Sequence, residues 1–176
     1  MKSDKFKYTR KDNKLEVDIY MEKTKKSAFI FFVTVGTIIL SMPFVIFILS
    51  LVEKFDLGFG FIFSILVAAL VSFYLFRMAF WNMYGVEKYY ITKDSVTFIA
   101  DYRIFKDTVM TIEGVEIIVG YFDERNSSDE NLTTAKLIFS TDKNQIQSTI
   151  DLSIDDIYKI IKVIDKAKFL SWEKYK

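Results

Sequence analysis

The chain has 176 residues, 51% of them hydrophobic with 18 Phe, yet 27% are charged and the net charge is only +1. Cys and His are both absent, which excludes disulfides, thiolate nucleophiles, Cys/His zinc sites and histidine general bases. The near-neutral total conceals segregation, because residues 27–52 and 57–76 carry no charge at all.

Residues 1–26 are polar and rich in Lys, and within them Leu15, Val17, Ile19 and Met21 alternate with Glu16, Asp18, Tyr20 and Glu22. Period-two alternation predicts a strand with one buried face. A cleavable signal peptide is not expected, since the apolar run starts near Ala28, exceeds a signal core in length and lacks a small-residue cleavage pattern. Residues 28–52 are continuously apolar; at about 1.5 Å per residue they cover a hydrocarbon core of about 30 Å with some tilt. Residues 57–81 form a second stretch of equal length, with Arg77 close to its end. Only Glu53, Lys54, Phe55 and Asp56 lie between, so the two helices are antiparallel neighbours. A pair of buried helices in a soluble protein is the competing interpretation, but such helices seldom lack charge so long twice in succession.

The flanks orient this hairpin. Lys23, Lys25 and Lys26 precede the first stretch, and Arg77 and Lys88 accompany the exit of the second. The positive-inside rule then places both termini in the cytoplasm and makes the chain a two-pass protein of the cytoplasmic membrane. Arg77 is placed to snorkel to the headgroups, with Trp81 and Tyr84 suited to the interface; a functional intramembrane charge is the sharper alternative. Pro43 interrupts the first helix and predicts a kink. Gly60, Ser64, Ala68 and Ser72 form a small-residue stripe on the second, which seats either the first helix, through Gly36, Thr37 and Ser41, or a second copy of the chain. A transport path is poorly supported, because no Asp, Glu or Lys lies deep in either stretch.

From Val86 the period changes. Strands are predicted over residues 86–92, 95–101, 102–110, 114–121, 132–140 and 145–152, with residues 123–131 as an exposed polar loop. Asp123, Glu124, Asp129 and Glu130 in that loop do not match calcium-loop spacing. Ser153 and Asp156 form a capping-box-like pair that starts a C-terminal helix with Ile154, Ile157, Ile161 and Ile164 on one face. With the strand at residues 15–21, the fold class is an α+β membrane protein: a two-helix transmembrane hairpin plus an antiparallel β-barrel or sandwich of about seven strands with a C-terminal α-helix. The domains are residues 1–27, an N-terminal cytoplasmic segment whose strand joins the sheet; 28–84, the hairpin; and 85–176, the cytoplasmic domain.

Trp81, Gly85, Glu87, Tyr90, Ile91 and Thr92 at the exit of the hairpin, followed by Asp94, Val96 and Phe98, resemble the bacterial YcxB-like membrane proteins with a pleckstrin-homology-like domain. The resemblance implies a membrane-tethered, non-catalytic domain and supplies no catalytic residue. Phosphoinositide-binding pleckstrin domains use basic residues between their first two strands, a loop the hairpin is expected to occupy here, with Lys23, Lys25 and Lys26 at its mouth. Those lysines are either a topology signal alone or also an attraction for anionic lipid. Lys166, Lys168, Lys174 and Lys176 alternate with Phe169, Trp172 and Tyr175, which either pack on their own domain or touch the membrane surface.

No nucleophile, base and oxyanion donor can be named together, no phosphate loop is present, and no basic patch suits nucleic acid. The expected partners are the lipid bilayer, anionic headgroups and a protein not identifiable from sequence, a second copy included; no cofactor is expected. A membrane-anchored adaptor is the leading reading. An immunity-type protein acting against a membrane-active toxin, or an auxiliary subunit of a transporter or channel, are the alternatives.

Overall fold

A computed structural model describes residues 5–11, 13–22, 25–53, 58–107, 109–114, 118–122, 133–167 and 171–172. The chain forms two compact units: Glu22–Tyr84, and a discontinuous unit made of Met1–Met21 with Gly85–Lys176.

The first unit is a helical hairpin. Helices α1 (Lys26–Glu53) and α2 (Phe59–Tyr84) are apolar around their whole circumference, and α1 runs unbroken through Pro43. Their mutual seam is narrow. Gly36, Pro43 and Ser50 are buried on α1 and Ser72 and Ala79 on α2, each set spaced by seven residues, the repeat that keeps one seam facing a partner helix. Aromatic rings close the hairpin toward both ends, with Phe29 edge-on to Phe80 and Tyr84 at 5.6 and 5.9 Å, and Phe47 stacked on Phe61 at 6.3 Å.

The second unit is built on two open sheets. The first contains β1 (Phe6–Lys11), β2 (Lys14–Tyr20), β3 (Val86–Ile91), β4 (Ser95–Tyr102), β5 (Phe105–Lys106) and β6 (Met110–Glu113), in the order β1-β2-β3-β4 with β5 and β6 both on β4. The second contains β7 (Ile118–Phe122), β8 (Thr134–Ser140), β9 (Gln145–Gln147), β10 (Leu152–Ser153) and β11 (Ser171–Trp172). Its order is β10-β8-β7-β11 with β9 also on β8; β11 pairs in parallel with β7, and every other described pairing is antiparallel. Strict alternation makes the first sheet's core face: Leu15, Val17 and Ile19 on β2, Tyr89 and Ile91 on β3, and Val96, Phe98, Ala100 and Tyr102 on β4 are buried. Tyr89 joins the sheets, its ring 5.3 Å from Phe98 on β4 and 5.2 Å from Phe139 on β8. Helix α3 (Ile154–Ala167) buries Ile157, Ile160, Ile161, Ile164 and Ala167 and packs with β2, β7, β8 and β10. The Asp156 N–H donates to Ser153 Oγ at 3.2 Å and Ser153 Oγ donates to Asp156 Oδ2 at 2.7 Å, so the cap forms where the sequence places it.

Three expectations are corrected. The strand at residues 15–21 is the second in the chain rather than the first, so the hairpin lies between β2 and β3 and does not occupy the first inter-strand loop. The single strand expected over 102–110 turns at Arg103 and Ile104, because Tyr102 already pairs with Phe105. The described pairings leave two open sheets in place of a closed barrel, since each sheet's main path ends in unpaired edges. The polar loop over 123–131, with Asp123, Glu124, Asp129 and Glu130, lies outside the described residues, as do Lys168, Phe169, Lys174, Tyr175 and Lys176.

One edge of each sheet is a broken strand, β5–β6 beside β4 and β9–β10 beside β8. On β4, Asp101 faces Lys106 whereas Phe98 faces Met110, so three steps along β4 meet four along β5–β6: a one-residue bulge. On β8, Ile138 faces Gln147 whereas Ala135 faces Leu152, so three steps meet five. The Ser148 N–H still donates to Leu137 O on β8 at 2.8 Å, but the extra residues carry the Thr149 and Ile150 amides away from the ladder, and each needs another partner.

Candidate functional site

Within the small-residue stripe, Ser72 is buried and bonded to α1. Ser72 Oγ donates to the buried Gly36 carbonyl at 2.8 Å, a bond between helices. A Cβ at Gly36 would stand 2.8 Å from Phe76 Cε1, so only glycine admits this approach without moving the ring. Ser64 and Ala68 are half-buried, while Gly60 is exposed and a Cβ there would meet nothing within 4 Å. Thr37 and Ser41 are exposed rather than facing the stripe; their hydroxyls donate within α1, to Val33 O and Ile38 O at 2.8 Å.

At the sheet end where the hairpin is attached, Tyr20 faces Val86 and the Met21 N–H donates to Gly85 O at 2.9 Å. The chain therefore leaves and re-enters the sheet through hydrogen-bonded neighbours. Lys25 and Lys26 are exposed, Lys23 lies outside the described residues, and Arg77, Trp81 and Tyr84 are half-buried in the last turns of α2. Trp172 lies in β11 opposite Val119.

On the outer face of the first sheet, Lys88 Nζ lies 2.9 Å from Asp101 Oδ2. Asp101 sits below its ordinary range: desolvation opposes this, but the hydrogen bonds from Lys88 and the Arg103 N–H outweigh it. Lys88 is raised by the same bond. Asp18 stands in register between Lys7 and Lys88, yet its Oδ1 is buried without a hydrogen-bond partner among the described residues. Desolvation, reinforced by Glu16, pushes its carboxyl above the usual value.

On the inner face lies Glu87, a fully buried acid. Its Oε1 accepts from the Thr149 N–H at 2.6 Å, the Ile150 N–H at 3.2 Å and the Thr149 hydroxyl; its Oε2 accepts from Tyr89 Oη at 3.0 Å. These are the amides stranded by the register break on β8, so the carboxylate supplies the acceptors that the ladder does not. Desolvation raises Glu87 above its ordinary value, against the pull of those four bonds. With both oxygens engaged by protein, Glu87 ties one sheet to the other and is not presented to a substrate. Glu87 was missed in the sequence as a buried acid; the signal that could have found it is its place two residues before Tyr89 and four before Ile91, on the same face of a strand. Among the described residues no three His, Cys, Asp or Glu side chains converge as a metal site.

Compared with models of known protein families and with curated proteins, the chain matches none.

Proposed function

We propose that this chain is a two-pass protein of the cytoplasmic membrane, with both termini cytoplasmic and its sheet unit acting as a non-enzymatic interaction module of the pleckstrin-homology-like, YcxB-like kind. One observation carries the membrane reading. Exposed large apolar side chains run from Ile30 to Val52 on α1 and from Phe59 to Tyr74 on α2, and only 17% and 6% of the most apolar windows are buried. Each such side chain left in water forgoes about 1.5–3 kcal/mol of burial, a cost no water-soluble fold sustains along two whole helices. Lipid removes it.

The orientation rests on Lys25 and Lys26 before α1 and Arg77 near the end of α2. The pleckstrin-like reading rests on a succession of antiparallel strands closed by one amphipathic helix, α3. The absence of native Cys makes the topology testable by single-cysteine labelling. In intact cells a membrane-impermeant maleimide is expected to label Phe55→Cys, between the helices, and to reach Lys143→Cys, in the sheet unit, only after permeabilisation. Labelling of Lys143→Cys in sealed cells refutes the orientation. Extraction of the native chain by alkaline carbonate refutes the anchor.

A further inference from the structure

The turn between β4 and β5 is unusual in displaying what it holds. Arg103 adopts φ 71°, in the left-handed region that costs a side-chain-bearing residue about 1–3 kcal/mol. The conformation is locked from several sides. Ile104 N–H donates to Tyr102 O at 2.8 Å, Arg103 N–H to Asp101 Oδ1 at 3.1 Å, and Tyr102 Oη to Asp107 Oδ2 at 3.1 Å. The ring of Phe105 lies 5.7 Å from that of Tyr102 beneath the turn. What the turn holds out is apolar: Ile104 is 65% exposed, while the exposed Val109 and Met110 lie farther back along the sheet edge, Met110 level with Phe98. Arg103 and Lys106 flank Ile104, both exposed. The acids nearby, Asp101 and Asp107, are half-buried; Asp101 accepts from Lys88 and the Arg103 N–H, and Asp107 accepts from Tyr102.

Register tells where this turn stands in the sheet. Tyr20 faces Val86, Val86 faces Asp101, and Asp101 faces Lys106. The turn therefore projects from the same sheet end through which the chain departs at Met21 and returns at Gly85. Gly85 alone separates β3 from α2. With strands about 4.8 Å apart and residues about 3.3 Å apart along them, Ile104 lies on the order of 10 Å from Gly85.

We propose that the Arg103–Ile104 turn is a second contact of this chain with its own bilayer: an apolar tip, Ile104, that enters the headgroup layer of an anionic leaflet, with Arg103 and Lys106 on lipid phosphates. This rests on the membrane reading above, under which α2 ends at the headgroup level one residue before the sheet begins. A bilayer fits the tip better than a soluble protein partner. The exposed charge is basic, the apolar area is a small wedge rather than a broad face, and a one-residue link tethers this end of the sheet to α2.

The test uses the full chain in vesicles of phosphatidylcholine, with or without phosphatidylglycerol, carrying one polarity-sensitive fluorophore on Ile104→Cys. Lys106→Cys, opposite Asp101 at the same sheet end, serves as a second position if the first variant folds poorly. Lys93→Cys, exposed in the β3–β4 turn at the opposite end of the sheet, reports water, and Leu66→Cys in α2 reports lipid. Quenching by nitroxide-labelled lipid is expected for Ile104 and Leu66 but not for Lys93, and to strengthen at Ile104 with phosphatidylglycerol. Replacing Arg103 or Lys106 by Gln should lower the docked-to-free ratio about fivefold for each charge removed. Quenching at Leu66 with Ile104 no more quenched than Lys93 overturns the docking while the two-pass reading stands. Loss of quenching at both sites overturns both. Shielding of Ile104 that grows with protein density, without lipid quenching, assigns the tip to a copy-to-copy contact and also overturns the proposal.

Discussion

Single atoms decide the fit at two buried positions. At Gly36, alanine gains about 1 kcal/mol in helix propensity, whereas forcing a methyl against Phe76 costs about 1–3 kcal/mol if the ring stays put. Overpacking wins, so Gly36→Ala should lower the thermal midpoint of the chain in detergent, and Gly36→Leu more so. Adding Phe76→Leu should recover most of the alanine loss; a double variant no better than the single one removes the close approach from the account. Glu87 offers a pH signature. Its carboxyl is raised above the ordinary 4.5, chiefly by desolvation, so the folded chain binds this proton more tightly than the unfolded chain. The contribution of this group is therefore greatest at acid pH and declines as pH rises from 4.5 through the raised value. Glu87→Gln removes that slope, so wild type should gain on the variant as pH falls through this window, and the gap should be constant above it. Guanidinium unfolding in micelles at stepped pH, followed by tyrosine circular dichroism, measures the gap; a gap independent of pH excludes burial as the dominant influence. Asp18, also raised, is common to both proteins and cancels.

At the scale of elements, the parts set by repetition were legible and the parts set by register were not. Alternation located β2, β3 and β4, and the 153/156 cap with its isoleucine face located α3. Ser153→Ala should cost about 1 kcal/mol of stability in denaturant unfolding, within the range for such caps, and a shift near zero would mean that Asp155 and Asp156 alone hold the helix start. Strand β1 was missed because, apart from Phe6, its side chains are exposed and mostly polar, so no apolar period announces it; β2 holds it by six residue pairs. The bulges on β5–β6 and β9–β10 were invisible for a different reason. They are mismatches between two strands, and neither strand alone encodes them. Glu87 shares a strand face with its partner Tyr89, but the amides that hold its other oxygen lie more than sixty residues away, beyond any local pattern.

For the whole molecule, the sheet unit is discontinuous, and β2, supplied from before the hairpin, is an interior strand between β1 and β3. Removing residues 1–22 therefore strips β3 of six paired residues and uncovers Tyr89 and Ile91, and should abolish cooperative unfolding of the sheet unit. Unchanged thermal unfolding after that deletion would show β2 to be dispensable. The same arrangement imposes an order on biosynthesis. When β2 leaves the ribosome it has β1 to pair with but not β3, and both helices must be made before β3 emerges, a delay of several seconds at about 5–20 residues per second. Pairing of β2 with β3 thus waits on synthesis of the whole hairpin, and a nascent chain that stalls within the helices carries a β2 edge that chaperones and proteases can recognise.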